Sequence, residues 1–164
     1  MRILNRVSAT VVTLLSLAST AQAQSANIQA LATVYTPITV SGARNLDFGT
    51  IFPGVAKTIP VAGATSGRFD LTGQNSGNIN LAFTLPTNLT SGANTLPIGT
   101  WTGCHNATNA TAGCTAFTPS AAATASAFSS AGALFVWVGG TVTPAAAQAA
   151  GNYTGTVALT VSYF

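Results

Sequence analysis

Charge is the scarcest property of this 164-residue sequence. Five basic and two acidic side chains make up 4% of it, where an ordinary soluble domain carries about 25%. Two of the basic residues, Arg2 and Arg6, precede the first apolar stretch. The rest of the chain sets Arg44, Lys57 and Arg68 against Asp47 and Asp70. Three cations do not make a patch that neutralises several phosphates, so no nucleic-acid partner is expected. Glutamate is absent and histidine occurs once, at His105. General acid–base work needs two titratable groups with separated pKa values, and Asp47, Asp70 and His105 are the whole supply. Asp47 lies between Leu46 and Phe48, and Asp70 between Phe69 and Leu71. Alternation therefore turns both carboxylates toward solvent as strand residues, and His105 reads as an exposed loop histidine. The Asp-Phe-Gly at residues 47–49 has no glycine-rich loop or partner lysine with it, and no Gly-x-Ser-x-Gly elbow occurs. No enzyme and no cofactor is expected.

Long hydrophobic runs are lacking as well. The strongest, through Val11, Val12, Leu14, Leu15 and Leu17, is interrupted by Thr13 and Ser16 and is shorter than the roughly 20 residues of a membrane span. Preceded by Arg2 and Arg6 and followed by Ala21-Gln22-Ala23, it has the three-part plan of a secretory signal at residues 1–23. Export to the periplasm, cell surface or medium is expected, with residues 24–164 as one domain and no transmembrane segment in the mature chain. Cysteine occurs only as Cys104 and Cys114. In an exported chain that pair reads as a disulfide that pins a short local loop. A metal site on His105 and the two thiolates would lack a fourth ligand.

What the sequence has is hydrophobic residues, 48% of the total, sixteen glycines and a recurrent period of two. Tyr153, Gly155, Val157, Leu159, Val161 and Tyr163 alternate with small polar residues, which predicts one long strand with a buried face. Ile79, Leu81, Phe83 and Leu85 alternate likewise up to Pro86. Further strands are expected at residues 28–35, 37–40, 46–51, 55–61, 68–72, 97–102 and 133–142. Glycine and proline punctuate them, and the pattern predicts an all-β, antiparallel β-sandwich. Residues 145–150, after Pro144 and before Gly151, predict a short helix or 3₁₀ turn. Residues 120–133 mix Ala with Ser and Thr and predict a loose loop or weak strand.

Several motifs then carry a resemblance. Leu46-Asp47-Phe48-Gly49-Thr50-Ile51, Arg68-Phe69-Asp70-Leu71-Thr72-Gly73, Phe135-Val136-Trp137-Val138-Gly139-Gly140-Thr141 and the stretch from Gly151 to Phe164 resemble a bacterial secreted domain family of unknown function. That family is similar to spore coat protein U and to chaperone-usher pilins. The resemblance implies an immunoglobulin-like sandwich, incomplete, and completed by a strand donated from a neighbouring subunit. In pilins a glycine fourteen positions from the end and a penultimate aromatic mark the strand that pairs with a chaperone or neighbour. Gly151 and Tyr163 hold those places here, with Tyr153, Val157, Leu159 and Val161 between them. The corresponding donor is an N-terminal segment within residues 24–36, also readable as a first strand, with Ala26, Ile28, Ala30, Ala32 and Val34 on one face. Implied partners are copies of the same or a homologous subunit, a periplasmic chaperone and an outer-membrane usher. The cysteines depart from the pilin pattern because they staple a local loop, and residues 24–41 lack the glycine common in donor strands. Sheet proteins guard their edges with charge, and a chain this poor in charge suits a fibre or coat subunit joined by strand addition. The alternative is a free-standing adhesin or glycan-binding sandwich with Trp101, Trp137 and the disulfide loop as contact residues, although the alternation around Trp137 favours a place for it in the sandwich itself.

Overall fold

The computed structural model describes residues 22–164, and its contacts separate Met1–Thr33 from Val34–Phe164. The expected signal segment lies outside the described residues apart from Gln22 and Ala23. Residues 22–33 are exposed and carry no strand or turn. The strand expected at residues 28–35 does not form, and no ladder among the described residues reaches upstream of Thr39. An extended segment becomes a strand only when a neighbouring strand takes its backbone N–H and C=O groups.

The second unit contains β1 (Thr39–Arg44), β2 (Lys57–Ile59), β3 (Gly67–Thr72), β4 (Asn78–Thr84), β5 (Asn88–Ser91), β6 (Asn94–Asn106), β7 (Thr115–Phe117), β8 (Thr124–Ala127), β9 (Ala133–Val142) and β10 (Ala158–Tyr163). It is an all-β antiparallel sandwich with no helix among the described residues. One sheet runs β1-β3-β9-β6-β5, with β2 added to β9 and β7 to β6; the other is β10-β4-β8. Period-two patterning decides the faces. Ile79, Leu81 and Phe83 of β4 meet Leu71 of β3 and Leu134, Val136 and Val138 of β9 in the main core. Phe48, Ile59, Leu96, Ile98 and Val142 form a second cluster, and Trp101 packs against both. Fully burying a side chain of this size stabilises by about 1.5–3 kcal/mol.

The C-terminal alternation is real, but it does not make one strand. Thr154 exchanges backbone hydrogen bonds with Thr90 of β5 at 2.8 and 3.0 Å, whereas residues 158–163 pair with β4. The chain therefore passes from one sheet to the other around Gly155, where a Cβ would come within 2.7 Å of Leu89 Cδ2. Residues 46–51 are irregular because the Asp47 carboxylate accepts from the Gly49 N–H at 2.7 Å and Gly49 takes φ +57°. Asp47 is thus exposed on a turn and not on a strand. Asp70 does lie on a strand, but its carboxylate is held by Arg68 at 2.8 and 3.0 Å. Residues 145–150 form a single turn, closed by Gln148 N–H to Ala145 O at 3.0 Å. So few residues cannot offset the cost of helix nucleation. Residues 124–127 make the weak strand, β8.

Cys104 and Cys114 are disulfide-bonded across the β6–β7 hairpin. Replacing both with Ser is expected to lower stability by about 2 to 3 kcal/mol, the loop-closure value for so short a ring. The domain should stay folded because β6 keeps its long ladder with β9; thermal unfolding of the double variant checks this. His105 corrects an expectation. It sits on β6, half-buried, with its ring centroid 5.8 Å from that of Phe117 and Ser126 Oγ 3.3 Å from Nδ1. Burial pushes its pKa below the ordinary 6.5. As pH falls below that value the unfolded chain takes a proton that the folded chain resists. The stability present above 6.5 is then lost progressively as pH drops through the lowered folded-state pKa. His105→Asn should flatten this part of the stability profile, measurable by urea unfolding between pH 4.5 and 8.

Candidate functional site

Among the strand edges open on one side in the second unit, one on each sheet bears on the site. β1 pairs only with β3 and β10 only with β4. β1 and the chain leading into β10 come together at two places. At one end the Tyr163 hydroxyl donates to Thr36 O at 2.7 Å, joining the tip of β10 to the lead-in of β1. Toward the other end, Gly42 and Arg44 from β1 and Tyr153 and Val157 from the C-terminal segment line a groove of about 1010 Å³. Its apolar lining includes Phe69, Leu96, Ile98 and Val138, residues that belong to or pack against the two core clusters.

Burial falls off abruptly at both edges. On the small sheet, Ile79, Leu81 and Phe83 are buried, with exposures of 0, 0 and 3%. Their register partners Tyr163, Val161 and Leu159 on β10 are only half-buried, although they present the same face. On the large sheet Leu71 is 1% exposed and its β1 partner Val40 is 39% exposed. Such a gradient is what an open sheet edge shows, and β8 at the other edge of the small sheet has it too; a strand added beside β1 or β10 would cover these faces. The charged residues of the lining are committed locally. Arg44 donates to Ser66 O at 2.6 Å and to Ser66 Oγ at 2.7 Å, and Asp47 caps the Gly49 turn. What remains available is uncharged surface, partly apolar and partly lined by Asn45, Thr50, Gln148 and Asn152, beside unpaired backbone, a combination suited to pairing with an alternating extended segment.

The expected pairing residues are therefore divided. Val157, Leu159, Val161 and Tyr163 share the inner face of β10 and its lead-in, while Gly151 and Tyr153 precede the sheet crossing and line the groove. Ala26, Ile28, Ala30 and Ala32 are exposed in the first unit, and Val34, at the start of the second, is 92% exposed. Trp137 is only 3% exposed, which withdraws it as a ligand-contact residue. The opposite wall, from Gly42 through Phe69 and Val138 to Ile98, went unrecognised because β1, β3, β9 and β6 contribute to it from distant positions.

The model of a family described as a domain of unknown function, DUF4402, matches residues 38–163. The chain belongs to this family. The DUF4402 match opens at Ile38, one residue before β1, and closes at Tyr163, the last residue of β10. It thus spans both groove edges and leaves out the alternating segment upstream. No curated protein and no solved structure matches the chain. Among the described residues no helix is long and apolar enough to cross a membrane.

Proposed function

We propose that this chain is an exported structural subunit of a surface fibre or coat, assembled by β-strand addition between copies. The supporting observation is a pair of open edges: the inner face of β10 is only half-buried and β1 is exposed apart from Arg44, and β1 and the approach to β10 at Val157 line one groove. Its occupant is residues 26–34 of another copy. That segment carries no strand, turn or helix of its own, and Ile28 and Val34 are 96% and 92% exposed, a cost in apolar hydration that docking would remove. Nine residues at about 3.3 Å each span roughly 30 Å, enough to run the length of β10. The donor brings no charge to the contact, because residues 22–43 contain no Asp, Glu, Lys or Arg, and the Arg44 and Asp47 of the groove are held by Ser66 and the Gly49 turn. The kinship with pilins and spore coat protein U, the immunoglobulin-like reading and a chaperone and usher as assembly partners belong to this proposal.

The test is titration of monomeric protein lacking residues 1–23 with a synthetic peptide of residues 24–35. Saturable one-to-one binding that raises the melting temperature is expected, since a ligand bound only by the folded state stabilises it. A peptide carrying Ile28→Asp should bind at least tenfold more weakly, because an unpaired charge would enter an apolar groove. A protein that stays monomeric and ignores both peptides would leave the free-standing binding module as the reading.

A further inference from the structure

Tyr163 is held more elaborately than packing requires. Its ring lies edge-on to Tyr35, with centroids 5.1 Å apart at 84°, and 6.2 Å from Phe128. The socket is built on glycines. A Cβ on Gly73 would lie 2.6 Å from the Tyr163 hydroxyl, and one on Gly77 3.1 Å from Cε1. The hydroxyl accepts from the Gln74 N–H at 2.6 Å and donates to Thr36 O at 2.7 Å. Thr36 in turn donates its N–H and Oγ1–H to Gln74 Oε1 at 3.2 and 3.1 Å. Every polar group of Thr36 is thereby tied to the tip of β10 or to the turn after β3, and Pro37 behind it has a fixed φ and no N–H.

These contacts bridge the edges of β10 and β1 where the chain leaves β1 in the N-terminal direction, at the opposite end of β1 from the groove lining at Gly42 and Arg44. For residues 26–34 to fill the groove of their own subunit, the chain would have to reverse at residues 35–37 and enter between β1 and β10. Tyr163 and Thr36 are joined across that very position. Resting on the strand-addition reading, we infer that Tyr163 is a positioning residue, a clasp that denies the N-terminal segment its own groove and so makes strand addition intermolecular. The clasp uses hydrogen bonds that a hairpin at residues 35–37 must break, and loss of one or two such bonds corresponds to roughly a tenfold change in an equilibrium.

The experiment compares the chain from residue 24 onward with its Tyr163→Phe variant, which keeps the ring and removes the hydroxyl. Three readouts are taken: amide exchange at Gln74, the monomer fraction by light scattering, and binding of the residue 24–35 peptide by monomers. The variant should exchange the Gln74 amide faster, raise the monomer fraction about tenfold and bind the peptide about tenfold more weakly, because its own segment occupies the groove. Deleting residues 24–34 in the variant should restore peptide binding. A merely structural role would speed Gln74 exchange without blocking the peptide, and that outcome overturns the clasp while leaving strand addition intact. Wild-type protein that neither polymerises nor binds the peptide overturns both. Gln74→Leu, which keeps Tyr163 and removes the acceptor for Thr36, should move all three readouts the same way by a smaller factor. It decides the matter if Tyr163→Phe fails to fold.

Discussion

Removing residues 24–34 from the mature chain is expected to abolish polymers and leave folded single subunits. The segment has no ladder within its own chain and its described residues are exposed, so little of the subunit's own stability depends on it. Loss of an exposed, unpaired segment should change unfolding free energy by no more than about 0.5 kcal/mol, the range for surface changes away from special features. The groove is untouched, so the truncated subunit remains an acceptor that can cap one end of a fibre and add nothing beyond. Light scattering of truncated and full-length protein, mixed in varied ratio, should give mean polymer length falling as the truncated fraction rises. A truncation that lowers the melting point and finds no polymer to shorten would mean that the segment pairs within its own subunit.

Core and groove substitutions should separate two residues that face each other. Leu81 and Val161 are register partners on β4 and β10, yet Leu81 is 0% exposed and Val161 is half-buried. Leu81→Ala should cost about 2–5 kcal/mol in an isolated subunit, the range for emptying a fully buried site. Val161→Ala should cost less than about 1 kcal/mol in the isolated subunit, because solvent already reaches the face that the deletion would expose. In the polymer the donated strand would cover that face, and the Val161 variant should then lose subunit affinity as well. Denaturant midpoints of monomer and polymer measure both. Equal costs in the isolated subunit would show that β10 is already covered and the groove is not a vacant strand position.

Much of the architecture is legible in the one-dimensional pattern. Strands β3, β4 and β9 lie at or within a residue or so of their predicted places, since period-two alternation reports directly which residues face a core. The disulfide likewise follows from a pair of cysteines close in the chain. The long C-terminal strand could not be divided by that reasoning. Alternation continues through Gly155 although the backbone changes sheets there, and only the approach of Leu89 shows why the residue is glycine. His105 was misplaced because its burial comes from Phe117 and Ser126, contributed by two other strands.

By itself the sequence determined the fold class, the scarcity of titratable groups and the alternating face of residues 26–34, because composition and periodicity are local properties. Which strands lie at an edge is a property of pairing across the whole chain. Only the tertiary structure decided that β1 and β10 lack second partners, that β1 and the approach to β10 line one groove, and that Tyr163 meets Thr36, 127 residues apart in the chain.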